Sequence, residues 1–296
     1  MSLKTIYYRG FLKSCNYNCP YCPFHKISAA EENLKYDREA LEQFCKKAPS
    51  LGENLSVMLV PYGEAMIHSY YYEAVKKLCK ADNIDKAGFQ SNLSFSTADF
   101  FKYIKDLGGG CRKLKLWCSF HPCCADLDQF LEKCLLLYQE KIAFSVGAVG
   151  IPKNAGLLSQ LRRRLPPDVY MWVNAAEGMK RKYTQDEIDE FARIDPLFLY
   201  ELKIIPANAD LCSGGKESLF IEADGAAYAC PISKNRLGNI YSEDLTQILA
   251  RSKICIAGYC HCYLAYSLRK DIFNPAGFDA AFRLPQVYSL HSKIDH

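Results

Sequence analysis

The stretch "SCNYNCPYCPF" (14–24) sets Cys15, Cys19 and Cys22 with three and then two residues between them. Thiolates are soft ligands that select zinc or iron–sulfur clusters, and a closed structural zinc site takes four ligands. Three thiolates from one loop fit a four-iron cubane with one iron left open. Thiols that only pack, or that hold zinc, are the plainer alternative. Pro20 and Pro23 keep the loop from becoming helix and remove backbone donors, so the chain can wrap around a cluster. Tyr21 places an aromatic ring directly before the last of the three.

A second set lies towards the C-terminus: Cys212, Cys230, Cys255, Cys260 and Cys262. Cys212 and Cys230 bracket "SLFIEADGAAYAC" (218–230), two alternating β runs joined at Asp224-Gly225 and read as a hairpin. "SEDLTQILARSK" (242–253) reads as a short helix capped by Ser242, and the other three cysteines follow it. Of the remaining thiols, Cys45, Cys79 and Cys134 fall in expected helices and Cys118 in an expected strand, where a free cysteine packs as a small apolar residue. Cys123 and Cys124 follow the fourth strand and read either as functional thiols or as bland ones.

The elements that must position these residues alternate. β-rich runs at 4–8, 55–60, 86–90, 113–120, 143–149 and 169–174 are separated by helical patterns at 37–48, 69–81, 97–107, 126–139, 154–164 and 184–194. "STAD" (96–99) and "YTQDE" (183–187) supply helix starts, while "GGG" (108–110) and "LPPD" (165–168) supply stops. Six βα units imply a parallel sheet with right-handed crossovers, two units short of a closed eight-fold barrel. The expected fold class is therefore α/β, a partial (β/α)6 TIM-like barrel with a small C-terminal α+β domain, which the resemblance given below implies is an iron–sulfur domain. Expected boundaries are 1–205 for the barrel, 206–270 for the second domain and 271–296 for a tail. In parallel βα folds the chemistry sits beyond the C-terminal strand ends, where the front cysteines lie.

At 296 residues with 49% hydrophobic residues, the chain can bury a full core, which excludes a disordered or fibrous protein. No apolar run of about 18 residues occurs, and "MSLKTIYYRG" lacks the apolar stretch of a signal peptide. A cytoplasmic protein with no membrane partner is expected. There, fifteen cysteines read as metal or redox chemistry rather than a disulfide framework. A net charge of +4, with short basic runs at 162–164 and 180–182, reads as solvated surface rather than a nucleic-acid stripe.

Cys-x3-Cys-x-aromatic-Cys after the first strand of a partial barrel resembles the radical S-adenosylmethionine (radical SAM) superfamily. The resemblance covers about residues 4–195. It implies a 4Fe-4S cluster on Cys15, Cys19 and Cys22 whose open iron is chelated by S-adenosylmethionine (SAM). One electron then cleaves SAM to methionine and a 5'-deoxyadenosyl radical that abstracts hydrogen from a substrate. Other family features carry over by position. Tyr21 matches the ring beside the adenine. Gly63 and Glu64 of "PYGEAMI" (61–67) match the segment that holds the SAM amino group, with one glycine of the family pattern absent. Ser91 and Asn92 of "QSNLS" (90–94) match a stretch near the ribose. Ser119 of "CSFHP" (118–122) matches a ribose or carboxylate contact, with His121 beside it as a ligand or a capping residue. Val149 lies in "VGAVGI" (146–151), similar to the fifth-strand segment against the adenine, although the family's later glutamate is missing.

The C-terminal segment, including "LGNI" (237–240), is similar to the SPASM/twitch domain that holds auxiliary clusters. Full SPASM domains carry seven or more cysteines and two clusters. The five here imply one second, auxiliary 4Fe-4S cluster on Cys212, Cys230, Cys260 and Cys262, with Cys255 as substitute or free thiol. A structural zinc site on the same residues is the alternative. Relatives of this architecture often modify peptides or proteins and others work on small metabolites, so the resemblance implies first a peptide or protein substrate. A flavodoxin- or ferredoxin-type electron donor is implied as partner. The first strand starts close to Met1, so no peptide-recognition domain is expected ahead of it, and a separate partner would present the peptide. An enzyme acting on RNA or a small metabolite, and a non-enzymatic zinc-binding module, are the competing readings.

Overall fold

A computed structural model describes the chain except residues 1, 23, 25–28, 204, 234, 252–254, 256–257, 261–267, 273–277, 280 and 286–296, with 109–111 described by backbone alone. The six expected βα units are present: β1 (Thr5–Gly10), α1 (Glu31–Lys47), β2 (Leu55–Leu59), α2 (Ser69–Lys80), β3 (Ile84–Ser91), α3 (Thr97–Lys105), β4 (Leu114–Phe120), α4 (Leu127–Gln139), β5 (Ala143–Gly150), α5 (Ala155–Arg164), β6 (Met171–Ala175) and α6 (Gln185–Ile194). Strands β1 to β6 pair in parallel in sequence order, and β6 ends the sheet, so the barrel stays open. Local chemistry fixes the helix starts. The Ser96 hydroxyl accepts from Asp99 N–H at 3.4 Å. Thr184 and Glu187 close a reciprocal capping box at 3.3 and 2.9 Å. Helix α1 begins six residues before the expected 37, with Glu31 and Glu32 favourably placed in its first turn.

After α7 (Phe198–Glu201) and the short β7 (Ile205–Pro206), the hairpin β8 (Ser218–Glu222) and β9 (Ala226–Tyr228) forms where Asp224-Gly225 placed it. Gly225 has φ +82°, a conformation that glycine adopts without strain. The hairpin does not stand apart from the barrel. β8 pairs in parallel with β1, and β10 (Arg236–Asn239) extends β9, giving one nine-stranded sheet. The following helix α8 (Leu245–Ala250) has Asp244, not the expected Ser242, at its N-cap position. Ser242 instead sits in a turn whose N–H bonds to Asn239 O at 3.3 Å. β11 (Tyr259–Cys260) pairs with β7.

Alternation along the strands divides the core. Ile6, Val57, Leu59, Phe89, Leu116 and Phe144 pack under the helices. Tyr7, Met58, Trp117 and Phe220 face the opposite side, the barrel interior. The last described elements, β12 (Phe278–Asp279) and β13 (Leu284–Pro285), form a small hairpin that fills this interior rather than trailing as a tail. Phe282 is fully buried, its carbonyl accepts from Ser145 Oγ at 3.1 Å, and Asp279 pairs with Lys86 at 2.5 Å. The Arg283 guanidinium lies 3.6 Å from the Trp172 ring centroid, a cation–π contact in a dry setting. Among the described residues no helix is long and apolar enough to cross a membrane.

Candidate active site

The front loop is held at its base by a residue that the sequence pattern did not single out. Asp37, fully buried in α1, accepts from the backbone N–H groups of Phe11 and Leu12, both at 2.8 Å, through Oδ1. Its Oδ2 accepts from the Tyr70 hydroxyl at 2.9 Å. A carboxylate committed to backbone donors fixes the path of the chain as it leaves β1. Its only sequence signal was an acid on the core side of a helix.

Further along, Gly63 N–H donates to Leu12 O at 3.1 Å and Glu64 N–H to Ser14 O at 3.0 Å. The two backbones approach so closely that a Cβ on Gly63 would lie 1.9 Å from the Ser14 carbonyl oxygen. That is why a glycine stands between Tyr62 and Glu64. The Glu64 carboxylate turns inward, accepting from Met66 N–H at 3.0 Å, Ser91 Oγ at 2.8 Å and Asn92 N–H at 2.6 Å. Complete burial pushes its pKa up to about 7, against the opposing pull of those three donors. Ser91 also receives Leu93 N–H at 3.0 Å, so its hydroxyl is spent on the strand end. Asn92 reaches the cysteine loop: Nδ2 donates to Asn16 Oδ1 at 3.1 Å, with Cys15 Sγ at 4.0 Å.

Within the loop, Tyr17 N–H points at Cys15 Sγ from 3.4 Å, and Cys22 N–H donates to Cys19 O at 3.1 Å. Cys19 is buried, and burial raises its thiol pKa. The sulfurs of Cys15, Cys19 and Cys22 are not gathered within 4.8 Å of one another, whereas those of Cys19, Cys123 and Cys124 are. A cubane carries each thiolate on a different iron, so its ligands stand further apart than those of a single ion. Tyr21 pairs with His121, its hydroxyl 3.1 Å from Nδ1 and the two rings stacked at 6.0 Å. Tyr17 meets the same imidazole edge-on at 6.1 Å. A cavity of about 410 Å³ opens beside them, lined by Tyr21 and Cys123 and by Ile151, Asn154, Glu177 and Met179 from beyond β5 and β6. Val149 is half-buried one turn before it, its carbonyl accepting from Ile151 N–H at 2.8 Å.

These residues suit a polar cofactor. The hydroxyl oxygens of Ser14, Ser94 and Ser119 are buried yet find no hydrogen-bond partner among the described residues. Each follows or ends a strand on the cysteine side: β1, β3 and β4. Orphaned buried hydroxyls are costly, so each of these three favours a polar partner at its strand end.

At the other end of the chain, Cys230 and Cys260 share one cluster of buried residues with Ile205, Leu268 and Phe282, and the half-buried Cys212 packs against it. Cys212 Sγ receives Gly214 N–H at 3.3 Å, and burial, opposed by that donor, raises its thiol pKa. Burial likewise raises the Cys260 thiol, and the neighbouring Arg269 guanidinium draws it back. Cys255 is exposed but close enough to act electrostatically on both. Cys262 lies outside the described residues.

Residues 212–267 match the SPASM family, an iron–sulfur cluster-binding domain. No curated protein matches the chain. Among solved structures, it is similar to SuiB of Streptococcus suis bound to S-adenosylmethionine, at 11% identity and TM-score 0.56, covering 84% of this chain and 65% of that one. It is also similar to native anSMEcpe with bound AdoMet and Cp18Cys peptide, at 15% identity and TM-score 0.52, covering 83% of this chain and 80% of that one. The chain thus spans just under two thirds of the length of SuiB. At 11% and 15% identity the likeness to these structures is one of fold, a partial barrel, and the SPASM match covers residues 212–267.

Proposed function

We propose that the chain is a radical SAM enzyme that modifies a peptide or protein. The observation that carries this is the Cys15, Cys19 and Cys22 loop, pinned by Asp37 and by the Gly63–Glu64 segment beside a cavity at the strand C-termini. Those three cysteines would hold a 4Fe-4S cluster, and Cys212, Cys230, Cys260 and Cys262, with Cys255 in reserve, an auxiliary one. When bound, the front cluster and SAM supply a 5'-deoxyadenosyl radical that removes a hydrogen atom from the substrate. The protein's share is positioning and exclusion of water. Ser14, Ser94 and Ser119 would take up the polar edges of SAM. Tyr21, braced by His121, and the Val149 segment would flank its adenine. Asn92 would orient both loop and cofactor, while Glu64 and Ser91 act through Asn92 by holding the end of β3. Peptide as substrate is supported by anSMEcpe, whose structure has AdoMet and the Cp18Cys peptide bound. A flavodoxin- or ferredoxin-type protein would supply the electron in the cytoplasm, where the thiols stay reduced.

The test is anaerobic purification followed by iron, sulfide and SAM-cleavage assays. The expected content is about eight irons, four per cubane. Replacing Cys15, Cys19 and Cys22 together with Ala should remove about half the iron and all 5'-deoxyadenosine formation. Undiminished cleavage in that variant would overturn the assignment. Zinc without sulfide in the second domain would reduce that domain to a structural staple.

A further inference from the structure

Cys123 and Cys124 belong to neither cluster set. They follow β4 in a turn closed by the N–H groups of Cys124 and Ala125 on the His121 carbonyl, both at 2.9 Å. The turn sets Cys123 Sγ 3.4 Å from Cys124 Sγ, and Cys124 Sγ 3.8 Å from Cys19 Sγ. All three sulfurs lie within 4.8 Å of one another. Tetrahedral zinc binds thiolate at about 2.3 Å, which puts two sulfurs on one ion about 3.8 Å apart. The three thiols therefore stand at single-ion spacing, too close together for three corners of a cubane. Cys19 is buried while Cys123 and Cys124 are exposed, so an ion can enter from solvent. The Tyr21 hydroxyl, 3.7 Å from Cys123 Sγ and 3.1 Å from His121 Nδ1, adds polar groups at the rim.

We propose that, before its front cluster is assembled, the chain binds one soft divalent cation, zinc by this ligand chemistry, on Cys19, Cys123 and Cys124. Each thiol gives up its proton to solvent as it ligates, and no electron is transferred. Because Cys19 is also assigned to the front cluster, ion and cluster exclude each other. That exclusion rests on the radical SAM reading, whereas the ion site does not.

The full chain, purified without oxygen and without cluster, would be titrated with Co2+ and back-titrated with Zn2+. The readout is the thiolate-to-cobalt charge-transfer absorbance, with circular dichroism as the folding control. Cys123→Ser/Cys124→Ser should take up one metal equivalent fewer than the wild type, and Cys15→Ala/Cys22→Ala the same number as the wild type. The C-terminal cysteines are intact in every variant, so their uptake cancels. Unchanged uptake in the double-Ser variant, or loss in Cys15→Ala/Cys22→Ala, would overturn the ion site. With iron and sulfide then supplied, prior Zn2+ should slow front-cluster assembly in the wild type but not in Cys123→Ser/Cys124→Ser. Equal rates with and without Zn2+ would overturn the exclusion. A chain that binds the ion here yet never loads a front cluster would establish the site and refute both the exclusion and the radical SAM reading.

Discussion

Gly63→Ala tests whether the cysteine loop is shaped by backbone contact rather than by its own sequence. The new Cβ would lie 1.9 Å from Ser14 O, 2.8 Å from Ser14 C and 3.0 Å from Ser14 N. All three obstacles are backbone atoms, so no rotamer change relieves the clash. Restoring ordinary contact at 3.4 Å needs a shift of about 1.5 Å between the two segments. Such a shift breaks or stretches the Gly63–Leu12 and Glu64–Ser14 hydrogen bonds. Overpacking of this kind costs about 1–3 kcal/mol, and two weakened backbone bonds about 1 kcal/mol each. The expected loss is about 3–5 kcal/mol, measured by anaerobic urea unfolding of the full chain. Because Cys15 follows Ser14 directly, front-cluster iron should fall with it. Gly156→Ala is the control of opposite sign: nothing lies within 4 Å of its added Cβ, and in α5 the change should be neutral or stabilising by up to about 1 kcal/mol. A Gly63→Ala protein with wild-type stability and full front-cluster iron would refute the claim that this contact places the loop.

Glu64 should impart a pH dependence. Its folded pKa of about 7 lies above its ordinary 4.5, so the fold binds this proton more tightly than the unfolded chain does. The stability it contributes is fully present below 4.5 and declines as pH rises through about 7; Glu64→Gln should flatten that slope, and an unchanged slope would mean the carboxyl titrates normally. Ser119→Ala should weaken SAM binding by roughly fivefold, about one hydrogen bond, at unchanged iron content. Calorimetric affinities equal to wild type would show that this hydroxyl does not meet the cofactor. Phe282→Ala should destabilise the fold by about 3–5 kcal/mol, because the side chain fills the barrel interior. Denaturant midpoints that barely move would mean the C-terminal hairpin is not part of the core.

The alternation of buried runs and helical patterns by itself determined the six βα units, because strand and helix periods are local properties of the chain. The three-cysteine spacing was legible for the same reason, since three candidate ligands in one loop need no distant partner to be noticed. Where a residue's role depends on which segments meet, the sequence was silent. Asp37 looked like any helical acid, yet its carboxylate receives the chain leaving β1. Glu64 read as a cofactor contact, but folding turns its oxygens onto Met66, Ser91 and Asn92. The hairpin at 218–228 was legible from its turn residues, whereas its parallel pairing with β1 was not, because β1 and β8 are separated by about two hundred residues. Residues after 270 read as a tail, and only packing shows Phe282 and Arg283 filling the barrel interior. Cys123 and Cys124 carried no motif. Their closeness to Cys19 arises from the parallel sheet, which delivers the ends of β1 and β4 to one face.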